Sequence, residues 1–300
     1  MERISLSHDL QFSRIAHGLW RLSKWGMTAQ ERLRFVEEAL DLGVTTFDNA
    51  DIYGDYSCEM LFGEIFKLQP ALRNRLELVT KCGIKIKSAS HPDRLIGHYD
   101  TSYEHIVRST DQSLQNLRTD RIDVLLLHRP DPLIDPEEVA RAFEHLNREG
   151  KVRYFGVSNF NPMQFEMLQR YCSGKLVTNQ VEFSPWCLEH FHNGNVDFFL
   201  KEQLVPMAWS PFSGGKIFNP TDEQGERLQF VLEEIASEAG AYGIDLVALA
   251  WILKHPARFV PIIGSGKIER LQRATDALEI TLTREHWYRI LVASQGHPMP

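Results

Sequence analysis

The stretch G-L-W-R-L-S-K-W-G (Gly18–Gly26) decides between two folds. It leaves an apolar run, Ile15–Leu19, and leads into an amphipathic segment that opens at Thr28. In a doubly wound dinucleotide-binding sheet, the first strand-to-helix turn carries G-x-G-x-x-G, whose glycines let the main chain approach a pyrophosphate. That pattern is absent here. Outward from this turn lie seven more apolar runs: Val44–Asp48, Leu76–Cys82, Ile122–His128, Tyr154–Ser158, Thr178–Glu182, Val205–Trp209 and Val260–Ile263. Each is continuously apolar rather than alternating, as expected of strands buried on both faces of a parallel sheet.

Helical patterns separate the runs. Thr28 is placed to cap the first helix, with Glu31 as the capping-box partner and Phe35, Val36, Ala39 and Leu40 as its inner stripe. Gly43 and Gly150 end helices with the backbone freedom of glycine. Further helices are predicted over Glu59–Leu68, Tyr103–Leu117, Pro136–Arg148, Pro162–Tyr171 and Glu226–Ala239, with an extra one at Ile244–Lys254. Two more close the chain, Lys267–Ala277 and Arg284–Ala293. Strands alternating with helices over 300 residues, with no linker to divide them, predict a single (β/α)8 barrel of the TIM type spanning 1–300. Ile4–Phe12 reads as a hairpin turning at His8-Asp9 that plugs the barrel floor.

Composition narrows the function. The chain is 43% hydrophobic and 24% charged, with a net charge of −7. No basic run exists, which argues against nucleic acid and anionic membranes as partners. The four cysteines, Cys58, Cys82, Cys172 and Cys187, form no C-x-x-C pair. The start lacks the apolar core of a signal peptide, and Leu246–Leu253 is too short to span a bilayer. A cytoplasmic setting is expected. The sequence leaves the oligomeric state open and is compatible with a monomer.

In a barrel of this type the reacting groups stand at the carboxyl ends of the strands. The second run ends in Asp48, the third at Lys81-Cys82, the fourth in His128 and the fifth in Ser158-Asn159. The sixth carries Gln180, and the seventh ends at Trp209-Ser210. Reducing a carbonyl requires a hydride at carbon and a proton at oxygen. A tyrosine holds its proton near neutrality, and a nearby ammonium makes it a better donor by stabilising phenolate. A carboxylate beside that lysine offsets its desolvation, and a neutral histidine orients the carbonyl.

Seven motifs carry a resemblance. They are F-D-N-A-D-I-Y-G (Phe47–Gly54) with Ser57-Cys58-Glu59 and Gly63, V-T-K-C (Val79–Cys82), D-V-L-L-L-H-R-P (Asp123–Pro130), G-K-V-R-Y-F-G-V-S-N-F (Gly150–Phe160), N-Q-V-E-F-S (Asn179–Ser184), A-W-S-P-F (Ala208–Phe212) and I-I-G-S (Ile262–Ser265). In this order, from about Gly18 to Arg273, the chain resembles the aldo-keto reductase superfamily, in its bacterial NADPH-dependent oxidoreductase branch. The resemblance implies a catalytic tetrad of Asp48, Tyr53, Lys81 and His128, with Tyr53 as general acid in the reduction of aldehydes or ketones. It implies that Ser158, Asn159 and Gln180 hold the nicotinamide carboxamide and that Trp209 stacks on the ring, where the family often has tyrosine. The loop Ser210–Phe218, through Ser210, Pro211, Phe212, Gly214, Gly215 and Lys216, is expected to reach the pyrophosphate. Gly264 stands where NADPH-preferring members commonly carry lysine, before Ser265. Lys267 and Arg270 follow, and Arg270 matches a family arginine near the 2′-phosphate, so NADPH is expected over NADH. G-S-G-K-I (Gly264–Ile268) lacks the first glycine and closing Ser/Thr of a nucleoside-triphosphate loop.

Trp20, Trp25 and the loop Gly83–Asp100 are expected to wall the substrate pocket, and Arg129 either attracts an anionic substrate or binds Asp131. Two other functions compete. A metal-dependent hydrolase would use His190-Phe191-His192, an H-x-H pair placed in a polar loop rather than on the first strand. A regulatory module would bind cofactor with little turnover, as the potassium-channel beta subunits of this fold do.

Overall fold

The computed structural model describes residues 1–300. Its strands are β1 (Arg3–Ser5), β2 (Gln11–Ser13), β3 (Ala16–Gly18), β4 (Thr46–Asp48), β5 (Glu77–Cys82), β6 (Ile84–Lys85), β7 (His98–Tyr99), β8 (Ile122–Leu127), β9 (Val152–Ser158), β10 (Leu176–Glu182), β11 (Met207–Trp209) and β12 (Val260–Ile263). Eight of them close a barrel in the order β10-β11-β12-β3-β4-β5-β8-β9, so all eight apolar runs are barrel strands and the fold is a (β/α)8 barrel. No helix is long and apolar enough to cross a membrane.

The chain forms two compact units, Met1–Asn179 with Gly264–Ile268, and Gln180–Ile263 with Glu269–Pro300. In the first, β1 and β2 form the expected hairpin, with Ile4 opposite Phe12. Ile4, Leu10 and Phe12 are buried. Charged pairs tie it to the amino ends of two barrel strands: Arg3 to Glu77 at 2.6 Å and Arg153 to Asp9 at 2.9 Å. The capping box of Thr28 and Glu31 opens the helix Ala29–Asp41, and Gly43 follows it at φ 81°. Helix Cys58–Leu68 lies close against the end of helix Tyr103–Leu117. A Cβ on Gly63 would stand 2.8 Å from the carbonyl carbon of Leu117, so only glycine permits this approach.

The second unit is built on aromatic rings. Phe183 and Phe259 stack at 3.8 Å, and Trp251 and Trp287 stack at 4.9 Å. Each of those indoles donates to the other residue's carbonyl at 3.1 Å, so neither buried N–H is stranded. Helix Ile244–Lys254 is buried continuously from Leu246 to Ile252, which explains its apolar character all round. Helix Glu223–Glu238 begins three residues earlier than the apolar pattern suggested, because Asp222 caps it by accepting from the Gly225 amide at 2.9 Å. The Gly83–Asp100 loop also differs from expectation. It contains the two-residue strands β6 and β7, paired antiparallel, which are too short to leave an alternation in the sequence.

Candidate active site

Three neighbouring strands present the polar groups. Lys81 lies in β5 opposite Leu126 of β8, and Asp48 ends β4 opposite Val79. Backbone pairing continues past the strand ends. The amides of Asn49, Asp51 and His128 donate to the carbonyls of Val79, Lys81 and Cys82 at 2.8, 3.1 and 2.9 Å. This extension fixes the segment that follows Asp48 before any side chain is considered.

The Lys81 side chain is fully buried, which for an ammonium is strongly unfavourable unless its hydrogens find acceptors. All three do. Lys81 Nζ donates to Asp48 Oδ2 at 2.8 Å, to the Asn49 carbonyl at 2.7 Å and to the Tyr53 hydroxyl oxygen at 2.9 Å. The His128 ring meets the Tyr53 ring edge-on, with centroids 5.9 Å apart. Burial pushes the Lys81 pKa down, but Asp48 and Tyr53 outweigh it and hold the ammonium above the ordinary lysine value. Burial raises the Tyr53 pKa above that of free tyrosine, and the opposing pull of Lys81 does not overcome it. This corrects the simple expectation of a depressed phenol. The ammonium acts in the expected direction, and desolvation is the larger effect. Burial, then the charges of Lys81 and Arg129, keep His128 neutral, well below the usual imidazole range. Its Nδ1 is buried without a hydrogen-bond partner, leaving Nε2 as the ring's other polar atom.

A phenol hydrogen-bonded to a buried, carboxylate-anchored ammonium, beside a neutral imidazole, can deliver or accept one proton. A sequence profile described as the aldo/keto reductase family matches residues 14–293. The chain belongs to the aldo/keto reductase family. It is 51% identical over 300 residues, the whole of both chains, to the uncharacterized oxidoreductase YcsN of Bacillus subtilis. It is 41% identical over 297 residues, 99% of each chain, to a 6-dehydroglucose reductase of Agrobacterium fabrum. Among solved structures, a thermostable aldo-keto reductase bound to the inhibitor epalrestat superposes with a TM-score of 0.82 at 26% identity, covering 98% of this chain and 100% of that one. This aldo-keto reductase is thus an oxidoreductase, in a family that uses nicotinamide cofactors on small carbonyl compounds.

The cofactor residues expected from the sequence fall in both units. In the first, Ser158 ends β9 and is buried, and Asn159 follows at φ 61°, its Nδ2 donating to Ser158 Oγ at 2.7 Å. Gly264 follows β12, and a Cβ there would meet nothing nearer than the Gly18 carbonyl at 3.8 Å. Ser265 Oγ accepts from the Lys267 amide at 3.3 Å, just before helix Ile268–Asp276. In the second unit, Gln180 is buried in β10 with Nε2 3.6 Å from Met207 Sδ, and Trp209 ends β11 half-buried. Ser210 turns the chain at φ 54°, Pro211 is buried, and the Phe212 ring lies 5.5 Å from that of Phe218. Gly214 and Gly215 adopt φ 69° and 101°, and a Cβ on either would meet nothing within 4 Å. Such main chain, bare and accessible, fits an approaching phosphate. Lys216 Nζ stands 5.7 Å from the Trp186 ring, and Arg270 is exposed in the first turn of helix Ile268–Asp276.

Other expectations resolve differently. Trp25 is half-buried and packs against His17 and Phe35, with ring centroids at 5.6 and 5.8 Å, and against Gly266; Trp20 is 60% exposed. The Asp131 carboxylate accepts from Thr101 Oγ1 at 2.9 Å and the Leu133 amide at 2.8 Å. The Nδ2 atoms of Asn193 and Asn195 lie 3.1 and 3.0 Å from His190 Nδ1, a local loop contact. Asp51 and Glu59 stand within the first of the seven motifs, which gave neither of them a role. Both are buried: Ser109 Oγ donates to Asp51 at 2.8 Å, and Thr80 Oγ1 donates to Glu59 at 2.6 Å. Burial, reinforced by the charge of Glu59, raises Asp51 to about 8, and burial raises Glu59 as well. The available signal was a glutamate facing inward from the apolar helix Cys58–Leu68.

Proposed function

We propose that this enzyme reduces aldehydes or ketones to alcohols with NADPH and that Tyr53 is the proton donor. The observation that carries the reading is the contact from Lys81 Nζ to the Tyr53 hydroxyl at 2.9 Å, with the same ammonium anchored on Asp48 at 2.8 Å. As the carbonyl oxygen gains charge, Tyr53 gives it the phenolic proton, and Lys81 stabilises the phenolate left behind. Asp48 keeps Lys81 protonated throughout. His128, neutral at working pH, donates a hydrogen bond that orients the carbonyl. NADPH, when bound, supplies the hydride. Ser158, Asn159 and Gln180 would hold its carboxamide, Trp209 its ring, Ser210 to Lys216 its pyrophosphate, and Ser265, Lys267 and Arg270 its adenosine end.

Two relatives are described as 6-dehydroglucose reductases, at 41% and 38% identity, so polyhydroxylated aldehydes head the candidate substrates. A cytoplasmic enzyme with one barrel domain over 1–300 completes the reading. The test is a fluorescence titration with NADPH and NADH, followed by turnover with sugar-derived aldehydes, simple aldehydes and ketones. Tighter binding of NADPH and oxidation of it by at least one panel member are expected. Tight binding with no oxidation by any of them would favour a cofactor-binding regulatory module, and stoichiometric bound zinc would favour a hydrolase.

A further inference from the structure

The chain does something unusual directly after Tyr53. Gly54, Asp55 and Tyr56 lie consecutively in the left-handed region, at φ 59°, 54° and 67°. Glycine takes this conformation freely, whereas an L side chain pays about 1–2 kcal/mol for it. Two strained residues therefore follow the phenol, and strain persists only where the surroundings hold it.

Within the turn Ser57 Oγ donates to the Gly54 carbonyl at 2.6 Å, and the side chains of the two strained residues are held by the segment between β6 and β7. Ser90 donates to Asp55 Oδ2 from its amide at 3.2 Å and from its hydroxyl at 2.9 Å. The Tyr56 hydroxyl oxygen accepts from the Ile86 amide at 3.3 Å and from Arg94 Nη1 at 2.5 Å. Arg94 Nη1 also donates to the Ile86 carbonyl at 2.9 Å, and its guanidinium carbon stands 5.4 Å from the Tyr56 ring centre. The His91 ring packs on Tyr56 at 4.4 Å. Lys81 does not depend on these contacts, since Asp48 and the Asn49 carbonyl anchor it independently. Releasing the strained turn would thus move the phenol while the ammonium stays.

We infer that Asp55, Tyr56 and Arg94 are positioning residues: they latch the β6–β7 hairpin onto the turn after Tyr53 and so set the phenol against Lys81. The β6–β7 hairpin is then the part that seats the proton donor. This inference rests on Tyr53 being that donor, as proposed above.

Arg94→Met tests it, together with Arg94→Met/Asp55→Gly, in which glycine takes the left-handed conformation without strain. Three quantities are read: kcat against KM, the NADPH dissociation constant, and the fluorine NMR signal of Tyr53 in fluorotyrosine-labelled protein, assigned by its loss in Tyr53→Phe. Arg94→Met is expected to lower kcat roughly tenfold, to leave NADPH affinity unchanged and to shift the Tyr53 resonance. The added Asp55→Gly is expected to return both kcat and the resonance toward wild type. An unmoved resonance, a change confined to KM, or no recovery with glycine would overturn the latch. If Tyr53→Phe keeps full turnover while the resonance still responds to Arg94→Met, the latch stands and the proton-donor assignment falls.

Discussion

Lys81 shows how a single residue concentrates the chemistry. Its three hydrogens are committed to a carboxylate, a carbonyl and a phenol, at 2.8, 2.7 and 2.9 Å. Only the last acceptor can lose a proton to substrate and leave the lysine still held. Tyr53→Phe removes that proton and one of the three Lys81 acceptors, while the ring and its packing remain. Turnover is expected to fall on the order of 10²–10⁴-fold with NADPH affinity retained. Rates comparable to wild type would exclude the assignment. Gly264, proposed to lie near the adenosine end of the cofactor, has room for a side chain, because an added Cβ would approach nothing closer than 3.8 Å. Gly264→Lys is expected to tighten NADPH over NADH by roughly tenfold, about 1.4 kcal/mol. Equal tightening of both cofactors in fluorescence titrations would show that the 2′-phosphate lies elsewhere.

Among the elements, the helix pair Cys58–Leu68 and Tyr103–Leu117 has the most exacting contact. Gly63 faces the main chain of Asn116 and Leu117, which cannot rotate aside as a side chain could. The same helix carries Glu59, and the partner helix carries Ser109, which donates to Asp51. Gly63→Ala should therefore destabilise by about 1–3 kcal/mol through overpacking, read as a lower thermal midpoint, and should loosen the buried carboxyl groups behind Lys81. An unchanged midpoint would mean that the helices separate without loss. The short hairpin β6–β7 has the opposite character. It contributes little to the barrel, and its importance lies in gripping Asp55 and Tyr56.

For the whole molecule, buried titratable groups set the pH range of stability. Burial drives His17, His105 and His255 down to about 3, 4 and 4, and His128 well below its usual value. The unfolded chain protonates these histidines near pH 6.5, whereas the folded chain does not, so stability falls as pH drops from about 6.5 toward about 4. Asp51, raised to about 8, and Glu59, also raised, act in the other sense. Asp51 stays neutral in the fold up to about pH 8 and ionises in the unfolded chain above about pH 4, so its contribution is lost as pH rises toward about 8, and the raised Glu59 acts in the same direction. Below about pH 6.5 the buried histidines outweigh Asp51, and above it the raised carboxyls act alone, at about 1.4 kcal/mol per proton per pH unit. Thermal stability is expected to peak near that pH, and Asp51→Asn to flatten the decline on the alkaline side. A midpoint that keeps rising from about pH 7 to 8 in the wild type would contradict the carboxyl assignment.

The sequence by itself determined the eight barrel strands, the helices between them and the polar residues at or near the ends of six of those strands. Those features are local or periodic: an apolar run such as Ile122–Leu127 and a box such as Thr28–Glu31 are written in consecutive residues. Only the tertiary structure decided that the third hydrogen of Lys81 goes to the Asn49 carbonyl. It alone decided that Asp51 and Glu59 are buried, that desolvation outweighs the ammonium at Tyr53, and that Ser90 and Arg94 hold a left-handed turn open. Each of these depends on water being excluded by residues distant in the chain, and solvent exclusion has no period for a sequence to display.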